Sequence, residues 1–167
     1  MQFYNSKIFS VSLELVKLPN GKRRMISKII HRGGVVIVPV IDHDTILLIR
    51  QYRFVIGKWL YELPAGRIEP NENAMKQARR ELLEEAGYSA RSMKFAFKSW
   101  TTPGMSTELL NYFVATGLEK RKQHLEPDEF IRVEKVKLAD AINMIKTGKI
   151  IDAKTIQGIF FYSKFYA

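Results

Sequence analysis

The sequence predicts a mixed α/β fold, with helices covering a sheet. Three observations support this: an alternating N-terminal third, an apolar β-branched run over 33–41, and a clearly marked helix over 74–86. The chain has 167 residues, and 46% of them are hydrophobic. This size and composition suit one domain with a buried core, with or without a small appendage.

The N-terminal elements read as strands. Residues 7–18 alternate, the turn sequence Pro-Asn-Gly follows, and residues 23–30 return, so this segment predicts a hairpin. The run over 33–41 is typical of a strand that is buried on both faces. Two more strands are predicted next, at 46–54 and, shorter, at 59–66.

The helix over 74–86 has marked ends. Asn73 suits its N-cap and Gly87 its C-terminus, while Ala74, Ala78, Leu82 and Leu83 form a modest apolar stripe. Strands are predicted at 93–100, 109–116 and 131–138, with a long polar connection over 117–130. Helices are predicted at 139–148 and from Asp152 onward, the last with Ile156, Ile159, Phe160 and Phe165 on its apolar side.

Composition excludes several functional classes. The chain has no cysteine, which excludes disulfides, thiolate ligation and thiol catalysis, and its three histidines show no zinc-binding pattern. No apolar run approaches the roughly 20 residues of a membrane span, and the first residues lack a signal-peptide core. A cytoplasmic protein without a membrane partner is therefore expected. The net charge of +10 favours anionic ligands or serves solubility, and both readings stay open.

The helix concentrates acidic side chains. Glu81, Glu84 and Glu85 are spaced i, i+3 and i+4, so they project from one face and repel one another. A hard divalent cation such as Mg²⁺ would relieve this repulsion because it prefers oxygen ligands. Gly66, before the helix, would let the backbone approach a ligand closely. The alternative is a solvated, charged helix face.

The spacing of the whole segment resembles the Nudix box of the Nudix hydrolases. The matching positions are Gly66, Glu72, Arg80, Glu81, Leu82, Glu84, Glu85 and Gly87, followed by Tyr88 where the family usually has an aliphatic residue. The resemblance implies an α/β/α sandwich around a mixed sheet. It also implies hydrolysis of a nucleoside diphosphate linked to another group, with Mg²⁺ or Mn²⁺ as the cofactor.

Residue roles follow from the resemblance, position by position. Glu81 and Glu85 would bind the metal, together with Glu84 and the carbonyl of Ala65. Arg80 would orient the glutamates, and Glu72 would brace the loop. Bound metal would neutralise a pyrophosphate and align a water for in-line attack.

The flanking sequence is similar to the ADP-ribose pyrophosphatase branch of that family. The similarity lies in the segments LIRQYRF and ELPAG and in Pro103, fifteen residues after Tyr88. It implies a homodimer that splits ADP-ribose into AMP and ribose 5-phosphate. Residues 1–32 would form a β extension used in dimerisation, and 33–167 the hydrolase domain.

Substrate-binding residues are predicted on the strands before the box. Arg53 would pair with phosphate oxygens, with Arg50 as a second candidate. Trp59 or Tyr52 would stack on adenine or pack against the core. Glu62 would bond to the base or ribose, or pair with a lysine.

The general base is predicted in the polar connection. Glu129, in the segment EPDEF, resembles a late acidic residue of the branch and is the first candidate, with Glu126 next. The alternative is a solvated loop tip.

Other functions stay open at this point. One is a Nudix pyrophosphatase for another nucleotide sugar, a dinucleotide polyphosphate or an RNA 5′ end, and another is a non-catalytic Nudix-like module that binds nucleotides. A nucleic-acid partner is not expected, because no aromatic-basic signature marks one.

Overall fold

The computed structural model describes residues 2–167, which form ten strands and three helices. The elements are β1 (Gln2–Asn5), β2 (Phe9–Lys17), β3 (Arg23–His31), β4 (Gly34–Asp42), β5 (Thr45–Arg53), β6 (Lys58–Glu62), β7 (Ala65–Arg67), α1 (Ala74–Ala86), β8 (Tyr88–Trp100), β9 (Leu109–Lys120), β10 (Ile131–Lys137), α2 (Leu138–Lys146) and α3 (Ala153–Phe165). None of these helices is both long and apolar enough to cross a bilayer.

The main sheet has seven strands, in the order β10-β5-β4-β9-β8, with β6 paired to β5 and β7 paired to β4. Strands β4 and β9 are parallel, and the other pairs are antiparallel. The sheet is therefore mixed, as predicted.

Helices cover both faces of this sheet, and β4 shows why. Successive side chains of a strand point to opposite faces, so Val36 and Val38 pack with α2 and α3, while Val35 and Ile37 pack with α1. All four side chains are buried. The prediction of a strand buried on both faces, between helices, is confirmed.

The N-terminal residues form a separate sheet in the order β1-β2-β3. The predicted hairpin is confirmed as β2 and β3, whereas β1 was not predicted. This sheet joins the main body at Ile29, whose N–H donates to the carbonyl of Met105 (2.8 Å) and whose carbonyl accepts from Thr107 N–H (2.9 Å). The N-terminal sheet thereby lies beside the loop that precedes β9.

Helix α1 has the predicted boundaries and caps. The side chain of Asn73 accepts a hydrogen bond from Lys76 N–H at 2.8 Å. Gly87 adopts a left-handed conformation with φ 70° and closes the helix. Ala78 and Leu82 are buried against the sheet. Because residues 78, 82 and 85 share one face, this packing also turns Glu85 inward.

The single strand predicted over 59–66 is wrong. The segment forms two short strands, β6 on β5 and β7 on β4, separated by Leu63 and Pro64. Leu63 N–H donates to Thr155 Oγ1 at 2.8 Å instead of to a strand, and Pro64 has no N–H to donate. The chain consequently crosses from one strand to another at this point and delivers Ala65 and Gly66 to α1.

The polar connection is shorter than the predicted 117–130. Strand β9 continues to Lys120, because β8 is also longer than predicted and pairs along it as far as Tyr88 opposite Lys120. The connection between β9 and β10 is therefore 121–130. Alternation of polar and apolar residues is weak at this end of β9, so the sequence did not mark its continuation.

The apolar side predicted for the last helix is partly wrong. Ile159 and Tyr162 are buried, whereas Phe160 and Phe165 are 46% and 67% exposed. Gly158 explains the difference, since it presses α3 onto Leu63 so closely that a Cβ there would lie 2.5 Å from Leu63 Cδ1. The helix rests on its small residues, and the aromatic residues beside them face outward.

A buried carboxylate on β6 connects this strand with β5 and α3. Glu62, at the end of β6, is fully buried. Its oxygens accept hydrogen bonds from Arg53 Nε (2.7 Å) and Nη2 (2.5 Å), and Lys154 of α3 donates to it as well. Burial by itself would raise the pKa of Glu62, but the bonds from Arg53 and the charge of Lys154 outweigh burial and lower the pKa below its ordinary value.

We expect Glu62→Gln to destabilise the protein by roughly 3 kcal/mol at pH 7, because it leaves two cations beside a neutral amide. The folded pKa of Glu62 lies below its ordinary 4.5. The stabilisation is therefore present above about pH 4.5 and is lost as the pH falls through the folded pKa. Urea unfolding of both proteins from pH 3 to 8 measures this difference.

Glu119→Gln is the control, because the partners of Glu119, Arg91 and Arg121, are exposed and such pairs contribute little. A difference between Glu62→Gln and wild type that stayed constant down to pH 3 would contradict the assigned role of the Glu62 charge.

Candidate active site

A cleft of about 430 Å³ runs between α1, the strands β5 and β7, and the 121–130 connection. Most of the residues singled out in the sequence lie along it. The cleft is lined by Ile8, His31, Gln51, Arg53, Ala65, Gly66, Arg67, Glu69, Arg80, Glu81, Glu84, Glu85, His124, Leu125, Glu126 and Glu129. The α1 glutamates and the acidic connection thus face the same space.

Glu81 and Glu85 are held by the β7 segment. Glu85 is 3% exposed, and its Oε2 accepts a hydrogen bond from Ala65 N–H at 2.8 Å. The Glu81 carboxylate lies against Gly66, where an added Cβ would be 1.9 Å from Oε1. Gln77 donates to the same Oε1 at 2.6 Å. Gly66 is therefore required by a side-chain contact, since any larger residue would displace Glu81.

Burial disfavours the ionised form of both carboxyl groups. Burial raises the pKa of Glu81 to about 7, and the charges of Glu84 and Glu129 act in the same direction against Gln77 and Arg80. Burial also raises the pKa of Glu85 well above its ordinary value, with the charge of Glu81 adding to it. Two neighbouring acids that resist ionisation favour a bound cation.

Arg80 does not neutralise these two acids. It donates to Glu72 at 2.9 Å and to Gln77 Oε1 at 2.7 Å, and its nearest approach to Glu84 is 3.9 Å. Gln77 in turn donates to Glu81. Arg80 therefore braces the loop through Glu72. Its hydrogen bonds connect it to Glu81 only through Gln77, although its charge also lowers the pKa of Glu81. Within residues 2–167 no ion pair contacts Glu81 or Glu85.

The residues fit a divalent metal ion. The donors at this end of the cleft are carboxylate oxygens, which Mg²⁺ and Mn²⁺ prefer, and Glu81 and Glu85 form no ion pair within residues 2–167. Glu81, Glu84 and Glu85 supply the helix side of the set. Ala65 lines the cleft beside them.

Another group of possible ligands lies elsewhere. Asp42, His43 and Asp44 bring ligand atoms within 4.8 Å of one another in the turn before β5, at the opposite end of that strand from Arg53. Both oxygens of Asp44 accept from Lys137 at 2.9 Å. Lys137 therefore already neutralises Asp44, whereas Glu81 and Glu85 in the cleft have no such ion-pair partner among the described residues.

The 121–130 connection closes the acidic end. It is tied to α1 where His124 N–H donates to the carbonyl of Glu84 at 3.0 Å. Glu126 N–H donates to Glu129 Oε2 at 2.9 Å, and both glutamates line the cleft. The structure thus brings the two predicted general-base candidates together, opposite the α1 carboxylates.

The other end of the cleft is basic. A cavity of about 260 Å³ continues from it past Gly66, and the two share His31, Arg53, Ala65 and Arg67; Lys154 and Glu108 complete the charged lining of the second cavity. Arg53 is 38% exposed at its side chain and is oriented by Glu62. Arg67, Lys154 and His31 were not predicted as site residues, because nothing in their local sequence marks them.

Three predicted substrate-binding residues lie away from this cleft. Arg50, Tyr52 and Trp59 are on the opposite face of the β5–β6 pair from Gln51 and Arg53, as alternation along the strands requires. Arg50 Cζ lies 5.7 Å from the Trp59 ring centre, and the Tyr52 and Trp59 rings are 5.7 Å apart. The cleft of this chain therefore does not support their assignment to substrate.

Glu62 is also unavailable to a base or ribose within this chain. It is fully buried and bonded to Arg53 and Lys154, which corresponds to the alternative of a pairing with lysine. Its contribution to the site is the orientation of two cations.

The chain is similar to known proteins over most of its length. A model of the NUDIX domain matches residues 30–158. The chain is 34% identical over 160 residues to the "ADP-ribose pyrophosphatase" of Bacillus subtilis (strain 168), covering 95% of this chain and 86% of that protein. It is 32% identical over 157 residues to the "Methanol dehydrogenase activator" of Bacillus methanolicus, covering 93% and 85%.

A solved structure described as an ADP compounds hydrolase superposes with a TM-score of 0.84 at 25% identity, covering 98% of this chain and 89% of that one. The family match spans most of the chain and includes the helix whose carboxylates line the cleft. The chain therefore belongs to the NUDIX domain family and is a Nudix pyrophosphohydrolase.

Proposed function

We propose that this chain hydrolyses the pyrophosphate bond of ADP-ribose to AMP and ribose 5-phosphate, with Mg²⁺ or Mn²⁺ as cofactor. The observation that carries this proposal is a cleft lined by buried carboxylates that shares Arg53 and Arg67 with an adjoining cavity, which Lys154 also lines. The similarity to a relative named ADP-ribose pyrophosphatase supports the choice of substrate.

The acidic end would hold the cofactor. Glu81, Glu84, Glu85 and the Ala65 carbonyl are the proposed ligands. A divalent ion bound there would neutralise pyrophosphate charge and lower the pKa of a bound water. The chain itself contributes the placement of these oxygens, which Gly66 makes possible by leaving room for the Glu81 carboxylate.

The basic end would bind the phosphate groups. Arg53 and Arg67 line both cavities and Lys154 lines the second, so a pyrophosphate that spans them meets cations on the side away from α1. Arg53 is already oriented by its two bonds to Glu62. A fixed guanidinium loses little freedom on binding an anion, and this preorganisation favours binding.

Glu129 is the proposed general base, with Glu126 as the alternative. Its charge raises the pKa of both Glu81 and Glu85, so its carboxylate is within electrostatic reach of the proposed ligands. It lies on a connection rather than on the helix, and movement of that connection would bring it to a water aligned for in-line attack.

The first test is activity. Purified protein with ADP-ribose and Mg²⁺ should release AMP and ribose 5-phosphate, detected by chromatography. EDTA should abolish the release, and excess Mg²⁺ or Mn²⁺ should restore it. A panel that includes GDP-mannose and a dinucleotide polyphosphate measures specificity. Absence of AMP above background from ADP-ribose, with cleavage of another compound, would reject the substrate and keep the reaction.

Glu85→Gln tests the acidic end. The amide keeps the hydrogen bond from Ala65 N–H but removes the charge, so kcat should fall by at least about 100-fold. The metal-free variant should be no less stable than wild type, because the substitution removes a buried charge. Steady-state kinetics and thermal unfolding measure the two effects, with Glu119→Gln as an exposed control. Full activity in Glu85→Gln would refute the proposed role.

We also propose that the chain is a homodimer that uses the 1–32 extension. This extension exposes large apolar side chains on and between its strands: Phe3, Tyr4, Ile8, Leu15, Met25 and Ile30 are between 42% and 62% exposed. Leu15 and Met25 are directly opposite each other on β2 and β3, so they form one apolar spot. Exposed patches of this kind are typical of protein interfaces.

Leu15→Lys tests the dimer. A charge at the centre of the spot should convert a dimer to a monomer in light scattering coupled to gel filtration. Ile151→Lys, at a residue that is 60% exposed between α2 and α3, is the control and should leave the mass unchanged. A monomeric wild type would remove this proposal without affecting the proposed reaction.

A further inference from the structure

Gln51 is a buried polar residue that the proposed reaction does not yet use. It lies on β5, is 7% exposed and lines the cleft. Its Oε1 is buried and has no hydrogen-bond donor within residues 2–167, and its Nε2 makes no bond to those residues either. Nε2 is not among the buried unpaired atoms, so it is the amide atom that is accessible from the cleft.

The strands beside Gln51 explain the missing partner. Its directly paired neighbours are Leu60 on β6 and Ile131 on β10, and neither side chain can hydrogen-bond. Alternation places Gln51 on the face of β5 that also carries Arg53. The amide consequently has apolar neighbours to both sides within the sheet, and a ligand can approach Gln51 from the cleft that it lines.

Such a residue is costly for the free protein. An unsatisfied buried acceptor destabilises by about 1–3 kcal/mol, and folded proteins contain few of them. Within residues 2–167, the other buried side-chain atoms without a partner are Ser12 Oγ and Arg80 Nε. Arg80 is satisfied through Nη2, and Ser12 does not line the cleft. Gln51 therefore combines an unpaired amide with a place in the site.

We propose that Gln51 is a ligand-binding residue of the cleft, whose amide hydrogen-bonds an oxygen atom of the bound reactants. Nε2 donates as the side chain stands, and a 180° turn of the amide would present Oε1 as an acceptor. The partner is either an oxygen of the substrate or the water that attacks phosphorus. This inference rests on the proposed hydrolysis.

Gln51→Met tests the proposal, because methionine has a similar length but no amide. Removal of an unsatisfied acceptor should leave the Tm of the free protein unchanged or raised. The value of kcat/KM for ADP-ribose should fall about 10-fold or more. A role in packing would not produce this combination, since it predicts a lower Tm with unchanged kinetics.

The distribution of the loss between KM and kcat identifies the partner of the amide. An oxygen of the substrate predicts a raised KM and weaker inhibition by AMP or ribose 5-phosphate, whichever carries that oxygen. The attacking water predicts a lowered kcat with unchanged inhibition by both products. Either result supports the proposal. Ser12→Ala is the matched control: it removes an unpaired buried atom outside the cleft and should change neither parameter.

Two results would overturn the role of Gln51: kcat/KM within twofold of wild type, or a Tm that falls by several degrees. Kinetics use whichever compound of the panel wild type cleaves, so failure of ADP-ribose as substrate is distinguished from failure of Gln51. If wild type cleaves none, calorimetric binding of ADP-ribose to both proteins decides, and equal affinities overturn the proposal.

Discussion

The burial of two like-charged carboxylates on one helix determines much of this structure. Glu81 and Glu85 project from the face of α1 that packs on the sheet, and removal from water raises the pKa of both. An uncompensated pair of this kind destabilises a fold. The surrounding segment reduces the cost, with a backbone N–H from Ala65, an amide from Gln77 and the missing side chain of Gly66.

A second set of buried charges supports the opposite end of the cleft. Glu62 lies beneath it and holds Arg53 and Lys154 from two different elements. The acid is ionised because its partners outweigh its burial, whereas the α1 acids lack such partners. The contrast between the two ends follows from the same physics: a buried carboxylate with cations beside it is structural, and one without them is available to a ligand.

The polar groups whose burial destabilises this chain lie close together. The two α1 acids, whose pKa values burial raises, and the unpaired amide of Gln51 all lie on one cleft, while the two apolar clusters lie on either side of the sheet. Buried polar groups that lack hydrogen-bond or ion-pair partners are characteristic of functional sites. Their concentration in one place supports the assignment of the cleft independently of the motif.

Local sequence determined the helix α1 with both caps, most strands and the acidic set, because caps, periodicity and spacing are properties of neighbours in the chain. Only the tertiary structure decided which residues share the cleft. It brought Gln51, Arg67 and Lys154 to the site from separate elements and turned Trp59 away, since strand pairing and the break at Pro64 depend on contacts distant in sequence. The sequence alone therefore predicted the chemistry of helix α1, but it did not predict which residues lie across the cleft from that helix.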